Sequence, residues 1–250
     1  SNKKQKSKSI NDSTKRTKNK TNKKKITLVI VAICLIAAAV IGGIYVAEFL
    51  IKKSSVDAMK ELSDKANKTT SKATKKETSK SDDPKEYTLD EKYQYFKDKY
   101  GIDVPRKNLN FSDMQANTNS DIFAWLYVPN TNIDYPVLQC ASDSDYYLHH
   151  NLDGSGPYPG CLYTDNVINK DLSDRLIAIY GHNNPNGIMF AQLHKYEKQD
   201  FMDKNRYFFV YLPNDIKVYK VFTAHTGLSI NLVTGYDLTD DSTYTTFLKE

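Results

Sequence analysis

The sequence predicts a mainly β domain that follows one membrane-spanning helix and two short helices. Three observations lead to this prediction: a charge-free apolar run near the N-terminus, a helix-capping pattern, and a series of short apolar runs separated by turn-forming residues. We expect a basic cytoplasmic tail over 1–25, a transmembrane anchor over 26–51, a flexible stalk over 52–86 and a folded domain over 87–250.

The apolar run predicts an uncleaved membrane anchor. Residues 26–47 contain no charged side chain, and these 22 residues are long enough, at a helical rise of about 1.5 Å each, to cross a hydrocarbon core of roughly 30 Å. The apolar part of a secretory signal is shorter, at about 7–15 residues, and usually ends at a small-residue cleavage site. We therefore expect a single-pass protein of the cell membrane.

The charge distribution predicts the orientation of this anchor. Residues 1–25 carry ten lysines, one arginine and one acid, an excess that keeps this end cytoplasmic and attracts anionic membrane lipid. A nucleic-acid-binding tail is the weaker interpretation of the same charges, because they lie directly beside the apolar run. With the basic end in the cytoplasm, we expect everything after Lys53 to lie outside the cell. Residues 54–250 carry a net charge of −6, which makes nucleic acid an unlikely partner of this part.

Two helices are predicted ahead of the strands. The stretch 67–86 is almost free of apolar residues and cannot bury a core, although residues 54–66 could extend the membrane helix. Thr88 and Glu91 have capping-box spacing, and Gly101 is expected to end the helix that they begin. Ser112 opens a second capping-like pattern, which predicts another short helix.

Short strands are predicted over the rest of the chain. The apolar runs that predict them are 123–128, 133–139, 160–163, 176–180, 206–212 and 216–224. The last two flank a Pro-Asn-Asp turn and predict a hairpin, while apolar residues at helical spacing over 189–196 indicate a further helical turn. This pattern favours a barrel or a sandwich.

A histidine follows the run 176–180, at the point where the chain enters a polar loop. A lone histidine is more often a structural hydrogen-bonding residue than a catalyst. His182, however, lies at the end of a predicted strand, and the sequence Asn-Asn-Pro-Asn-Gly after it keeps the backbone irregular. An imidazole in such a place is suited to transferring a proton to or from an amine.

Several motifs in fixed order resemble those of a known family. The segments IDYPVLQ (133–139), YYLHHN (146–151), GCLYTD (160–165), IYGHN (179–183) and GIMFAQL (187–193) are similar to those of class B sortases. The similarity covers about residues 87–250 and implies a sortase-like closed β-barrel with N-terminal helices.

The resemblance also implies an activity. Sortases of this class are membrane-anchored cysteine transpeptidases of Gram-positive cell surfaces. They cleave an NPQTN-like C-terminal sorting motif of surface proteins and join those proteins, through a thioester, to a peptidoglycan precursor amine. His182 matches the catalytic histidine of the family, and Tyr180, Leu148 and Ser144 match positions near the substrate groove, although several members have asparagine in place of Ser144. No cofactor is implied, and neither the cysteine nor the histidine spacing suggests a metal.

One part of the family pattern is not found. The nucleophilic cysteine of the family lies in a T-L-x-T-C motif after the histidine and is followed by an arginine, but only Arg206 and no cysteine follow His182 here. Cys140 and Cys161 are weak substitutes, and a disulfide between them is possible outside the cell. We expect the catalytic domain to be truncated at its C-terminus, with missing strands that leave the barrel incomplete. The alternatives are an inactive membrane-tethered peptide-binding module that keeps the scaffold, and a purely structural surface protein.

Overall fold

A computed structural model describes residues 2–68, 87–156, 159–227 and 240–247, and the chain divides into two compact units, 1–51 and 52–250. Helix α1 spans Asn2–Ala66. Its segment Ile33–Ala66 contains an apolar window of 18 residues, which is long enough to cross a membrane. No residue of that window is buried inside the protein. An apolar helix at this place fits a membrane anchor. The part of the predicted stalk over 69–86 lies outside the described residues.

The two predicted helices ahead of the strands are present. Helix α2 spans Leu89–Tyr100, with both reciprocal bonds of the Thr88–Glu91 capping box, and Gly101 ends it at a φ of 68°. Helix α3 spans Phe111–Asn117. Its cap is Asn110 rather than a residue near the predicted Ser112, because the Asn110 side chain accepts a hydrogen bond from the Asp113 backbone N–H at 3.0 Å.

Five strands form one sheet in the order β3-β2-β1-β4-β5. The strands are β1 (Ile122–Tyr127), β2 (Asp134–Leu138), β3 (Leu162–Tyr163), β4 (Tyr207–Leu212) and β5 (Asp215–Lys220). All neighbours are antiparallel except β2 and β3, which run parallel over a two-residue register. Within the described part of the chain the sheet is not closed, and β3 and β5 form its edges. The prediction of a mainly β fold with helices is confirmed.

The prediction of a strand over 176–180 is wrong. Only Tyr180 pairs, through an isolated antiparallel bridge to Tyr163. The apolar side chains of Ile177 and Ile179 instead line a cavity of about 710 Å³, together with residues of β1, β4 and β5. The apolar residues of this run therefore line a cavity and do not form a strand of the sheet.

Short helical segments complete the described chain. Helix α4 spans Tyr146–His149, a 3₁₀ helix spans Phe190–Glu197, α5 spans Gln199–Lys204 and α6 spans Asp241–Phe247. The helical spacing noted over 189–196 thus corresponds to a 3₁₀ helix. Helix α4 and the bridge at Tyr180 are the two elements that position the histidine.

Candidate active site

The backbone at His182 is fixed from both sides of the chain. Before it, Tyr180 and Tyr163 exchange two backbone hydrogen bonds of 2.8 and 3.1 Å. After it, the Phe190 N–H donates to the His182 carbonyl at 3.0 Å, which closes the intervening residues into a loop. We call residues 182–190 the histidine loop. Gly181 leaves room for this crossing, because a Cβ there would overlap the Leu162 side chain and press on the ring of Phe190.

The imidazole of His182 is oriented by a backbone carbonyl. Its Nε2 lies 2.8 Å from the carbonyl oxygen of Leu148, at the end of α4. A carbonyl can only accept, so Nε2 carries a proton and donates it. In the neutral ring the lone pair then resides on Nδ1, which is the nitrogen that can take up a proton from a reacting group.

Helix α4 is held against the histidine by a glycine. Gly160 has a φ of +70°, and a Cβ on it would lie 2.8 Å from the Tyr147 carbonyl oxygen and 2.9 Å from that of Leu148. The same Cβ would lie 3.4 Å from Cδ2 of His182. The next residue, Cys161, donates its N–H to the Tyr147 carbonyl at 3.0 Å. Gly160 therefore allows the carbonyl that orients the imidazole to come close to the ring.

Two stacked tyrosines lie beside the histidine. The rings of Tyr163 and Tyr180 are 5.3 Å apart at an interplanar angle of 30°. Burial, followed by the nearby charge of Asp145, raises the pKa of Tyr163 to about 12. Burial, followed by a hydrogen bond to the Asp165 carboxylate, also raises the pKa of Tyr180. Both hydroxyls therefore keep their protons at neutral pH and can donate hydrogen bonds.

The four predicted site residues differ in their hydrogen-bond partners. Leu148 contacts His182 through its carbonyl, and Tyr180 precedes the histidine by two residues. Ser144 instead bonds with Asn166, since its Oγ donates to the Asn166 side chain at 2.9 Å and accepts from the Asn166 N–H at 3.2 Å. These two hydrogen bonds hold the loops of Ser144 and Asn166 together.

All three cysteines of the chain are free thiols, so the possible disulfide between Cys140 and Cys161 is not formed. Cys161 is 2% exposed, and burial raises the pKa of its thiol. Such a thiol stays protonated at neutral pH and is a poor nucleophile. Cys140 is half-buried, with its Sγ 3.4 Å from the Ser142 hydroxyl. Among the described residues there is no group of three or more His, Cys, Asp or Glu side chains arranged to hold a metal.

A polar network beside the histidine was missed by the sequence analysis. The Asn183 amide lies 3.0 Å from Nε2 of His194, whose Nδ1 lies 2.6 Å from the Glu197 carboxylate. The carboxylate accepts from Nδ1–H, which leaves Nε2 to accept from the amide. The spacing of His194 and Glu197 on a helical turn was a usable signal, but nothing in the sequence connects either residue to Asn183. These three residues are among those that line the cavity of about 710 Å³.

Comparison with known proteins shows which of them share this sheet and the bridge beside His182. No family model matches the chain. The sortase B of Listeria monocytogenes is 39% identical over 109 residues, which cover 41% of this chain and 44% of that protein. The sortase B of Staphylococcus aureus is 28% identical over 166 residues, which cover 65% of this chain and 64% of that protein. The chain thus spans less than two thirds of each of these curated relatives.

Solved structures show the same fold. A crystal structure of sortase B from Bacillus anthracis matches with a TM-score of 0.56 at 22% identity, over 80% of this chain and 79% of that one. The Staphylococcus aureus sortase B–substrate complex matches with a TM-score of 0.50 at 23% identity, over 64% of this chain and 71% of that one. The chain has the fold of a class B sortase, and the resemblance drawn from its motifs is confirmed.

Proposed function

We propose that this protein is a sortase-type cysteine transpeptidase that attaches surface proteins to the cell wall. The observation that carries the proposal is the orientation of His182, whose Nε2 donates to a backbone carbonyl and whose Nδ1 is thereby assigned the lone pair. A residue that must take a proton from one amine and give it to another needs one fixed tautomer at one fixed place.

The proposed reaction has two proton transfers at this imidazole. A thiolate attacks the threonyl carbonyl of an NPQTN-like sorting motif, and the peptide C–N bond breaks to leave a thioester. The departing amine takes a proton from the His182 imidazolium. A peptidoglycan precursor amine then attacks the thioester, gives its proton back to the imidazole and releases the thiolate. Tyr180, Leu148 and Ser144 are proposed to border the groove for the sorting motif, and no metal or cofactor takes part.

The proposed location follows from charge and from the helix. With the basic residues 1–25 in the cytoplasm and one span over 26–51, the domain over 87–250 lies outside the cell, where surface proteins and wall precursors meet. Its partners are surface proteins with a C-terminal sorting motif, the precursor amine and membrane lipid.

The source of the thiolate decides between this proposal and its alternative. The T-L-x-T-C motif is not found between Ser1 and Glu250, and the buried thiol of Cys161 is unsuited to the reaction. The first test is to follow the reading frame past the codon for Glu250. A downstream T-L-x-T-C strand and a following arginine would support the enzyme, whereas a stop at that codon would favour a peptide-binding module without catalysis.

The second test is enzymatic. The complete protein is incubated with a peptide that contains an NPQTN-like motif, and the acyl-enzyme and products are followed by mass spectrometry. We expect His182→Ala to bind the peptide but to lose cleavage, while the control His149→Ala, which changes an exposed histidine on α4, keeps it. Unchanged cleavage by His182→Ala would refute the role assigned to this histidine.

A further inference from the structure

The last turns of α1 belong to the folded domain rather than to a tether. Residues 52–66 lie in the same compact unit as the sheet. One face of these turns packs on the domain: Ser55, Met59 and Ala66 are buried, and Leu62 contacts the core. The spacing of these residues is that of a single helix face. We call residues 55–67 the docking segment.

The docking segment is joined to β2 through one buried carboxylate. Asp134 is 8% exposed, and its Oδ2 accepts from the Ser63 hydroxyl at 3.0 Å and from the Asn67 amide at 2.8 Å. Lys107 makes an ion pair with the same carboxylate at 2.9 Å, and the Trp125 indole N–H donates to its Oδ1 at 2.6 Å. A buried carboxylate with four donors is held in one place, because each lost donor leaves a desolvated charge less compensated.

The neighbours of Asp134 in the chain hold the histidine loop. The Asn132 side-chain amide donates to the Gly187 carbonyl at 3.1 Å, and the Asn132 backbone N–H donates to the side-chain oxygen of Gln192 at 3.0 Å. The Tyr135 side chain lies close to the backbone of Met189, and both residues line one cleft. Residues 132–135, which we call the bracket, therefore contact the docking segment on one side and the histidine loop on the other.

The histidine loop depends on such external support. Met189 is 1% exposed and has a φ of +52°, a region that an unbranched L-residue occupies only when its surroundings impose it. A cleft of about 410 Å³ lies between the docking segment and the loop, with Met59 on one wall and Met189 on the other. This space lets the loop shift if the bracket relaxes.

We propose that the docking segment is a positioning element for His182, acting through the bracket on the histidine loop. Release of Ser63 and Met59 removes one donor from Asp134 and one apolar wall from the cleft. The bracket then loosens, Met189 relaxes from its positive φ, and the imidazole loses its fixed place. The inference rests on the proposed function only in treating the histidine loop as part of an active site.

The test uses amide hydrogen exchange and histidine NMR on the full chain in detergent micelles. In Met59→Ala/Ser63→Ala we expect amides of the histidine loop, such as Phe190, to exchange about tenfold faster, and the His182 ring resonances to shift, while β4 and β5 stay protected. The control Asp64→Ala changes an exposed residue of the same helix and should alter neither signal. Met59→Ala/Ser63→Thr keeps the hydroxyl and should recover the part of the protection that the Ser63 hydrogen bond to Asp134 provides.

The outcomes separate this proposal from the enzymatic one. Unchanged exchange and unchanged His182 resonances in the double variant would refute the positioning role, whether or not the docking segment itself opens. Neither readout requires turnover, so a failure of peptide cleavage in the complete protein leaves this test valid. If the complete protein is active, the double variant should lose kcat more than it raises KM, because a displaced proton donor affects the chemical step.

Discussion

Replacing Gly160 by alanine tests the packing of α4 against the histidine. The new Cβ would lie 2.8 and 2.9 Å from two backbone carbonyl oxygens, distances that only a movement of α4 or of the strand can relieve. The positive φ alone costs an alanine about 1–2 kcal/mol. Overpacking against rigid backbone adds about 1–3 kcal/mol. We therefore expect a loss of about 2–5 kcal/mol in the free energy of unfolding.

Gly101 provides a matched control for this change. Its φ of +68° is nearly that of Gly160, yet a Cβ there would meet nothing within 4 Å. Gly101→Ala should therefore lose only the free energy that the positive φ costs. The difference in free energy of unfolding between the two variants then measures the clash of the new Cβ with the two carbonyl oxygens at Gly160. Both are compared by urea unfolding of the full chain in detergent, with the ring resonances of His182 as a local probe.

The local probe makes the reasoning refutable. In Gly160→Ala the Leu148 carbonyl must move away from Nε2, so the His182 resonances should shift, and in Gly101→Ala they should not. Equal losses of stability in the two variants, with an unshifted histidine in both, would show that the close approach at Gly160 does not hold the carbonyl in place.

Three further predictions concern the buried charges and the thiols. Lys107→Met should lower the free energy of unfolding by about 3–5 kcal/mol, because it leaves the buried Asp134 without its counter-charge. The control is Lys97→Met, which removes the exposed ion pair with Asp103 and should leave urea unfolding nearly unchanged. Iodoacetamide at pH 8 should modify Cys140 well before Cys161, whose thiol is buried and has a raised pKa, and equal labelling in a mass-spectrometric time course would contradict its burial. Burial raises the pKa of Asp215, but hydrogen bonds from Lys92 and Lys217 outweigh burial and lower the pKa overall. The ionised carboxylate therefore stabilises the fold above about pH 4, and this stabilisation is lost as the pH falls through the lowered pKa. The difference in free energy of unfolding between the native chain and Asp215→Asn should become smaller as the pH falls. A difference that grows would show that the pKa of Asp215 is not lowered by folding.

Local signals in the sequence predicted much of the fold. The capping box at Thr88 and Glu91 was readable because both partners lie within one helical turn. The hairpin of β4 and β5 was readable because its turn, at Pro213 and Asn214, separates two apolar runs. The strand over 176–180 was mispredicted because an apolar run that lines a cavity has the same composition as a buried strand.

The candidate site was only partly predictable. His182 was predicted as a site residue because it follows an apolar run and precedes a polar loop, both visible along the chain. The contact that orients it was not predictable, because a backbone carbonyl has no signature among side-chain types. Asp134 was hidden in a predicted strand, since two of its partners, Ser63 and Lys107, lie 71 and 27 residues away in the sequence.

The carbonyl that holds His182 has a consequence for how this protein can diverge. A peptide oxygen is present whatever side chain position 148 carries, so substitutions at Leu148 leave the orientation of the imidazole intact. Under the proposed function, the side chain of the same residue is then free to change with the peptide that the groove binds. On that proposal, selection can alter which peptide is recognised at position 148 while the imidazole of His182 keeps its orientation.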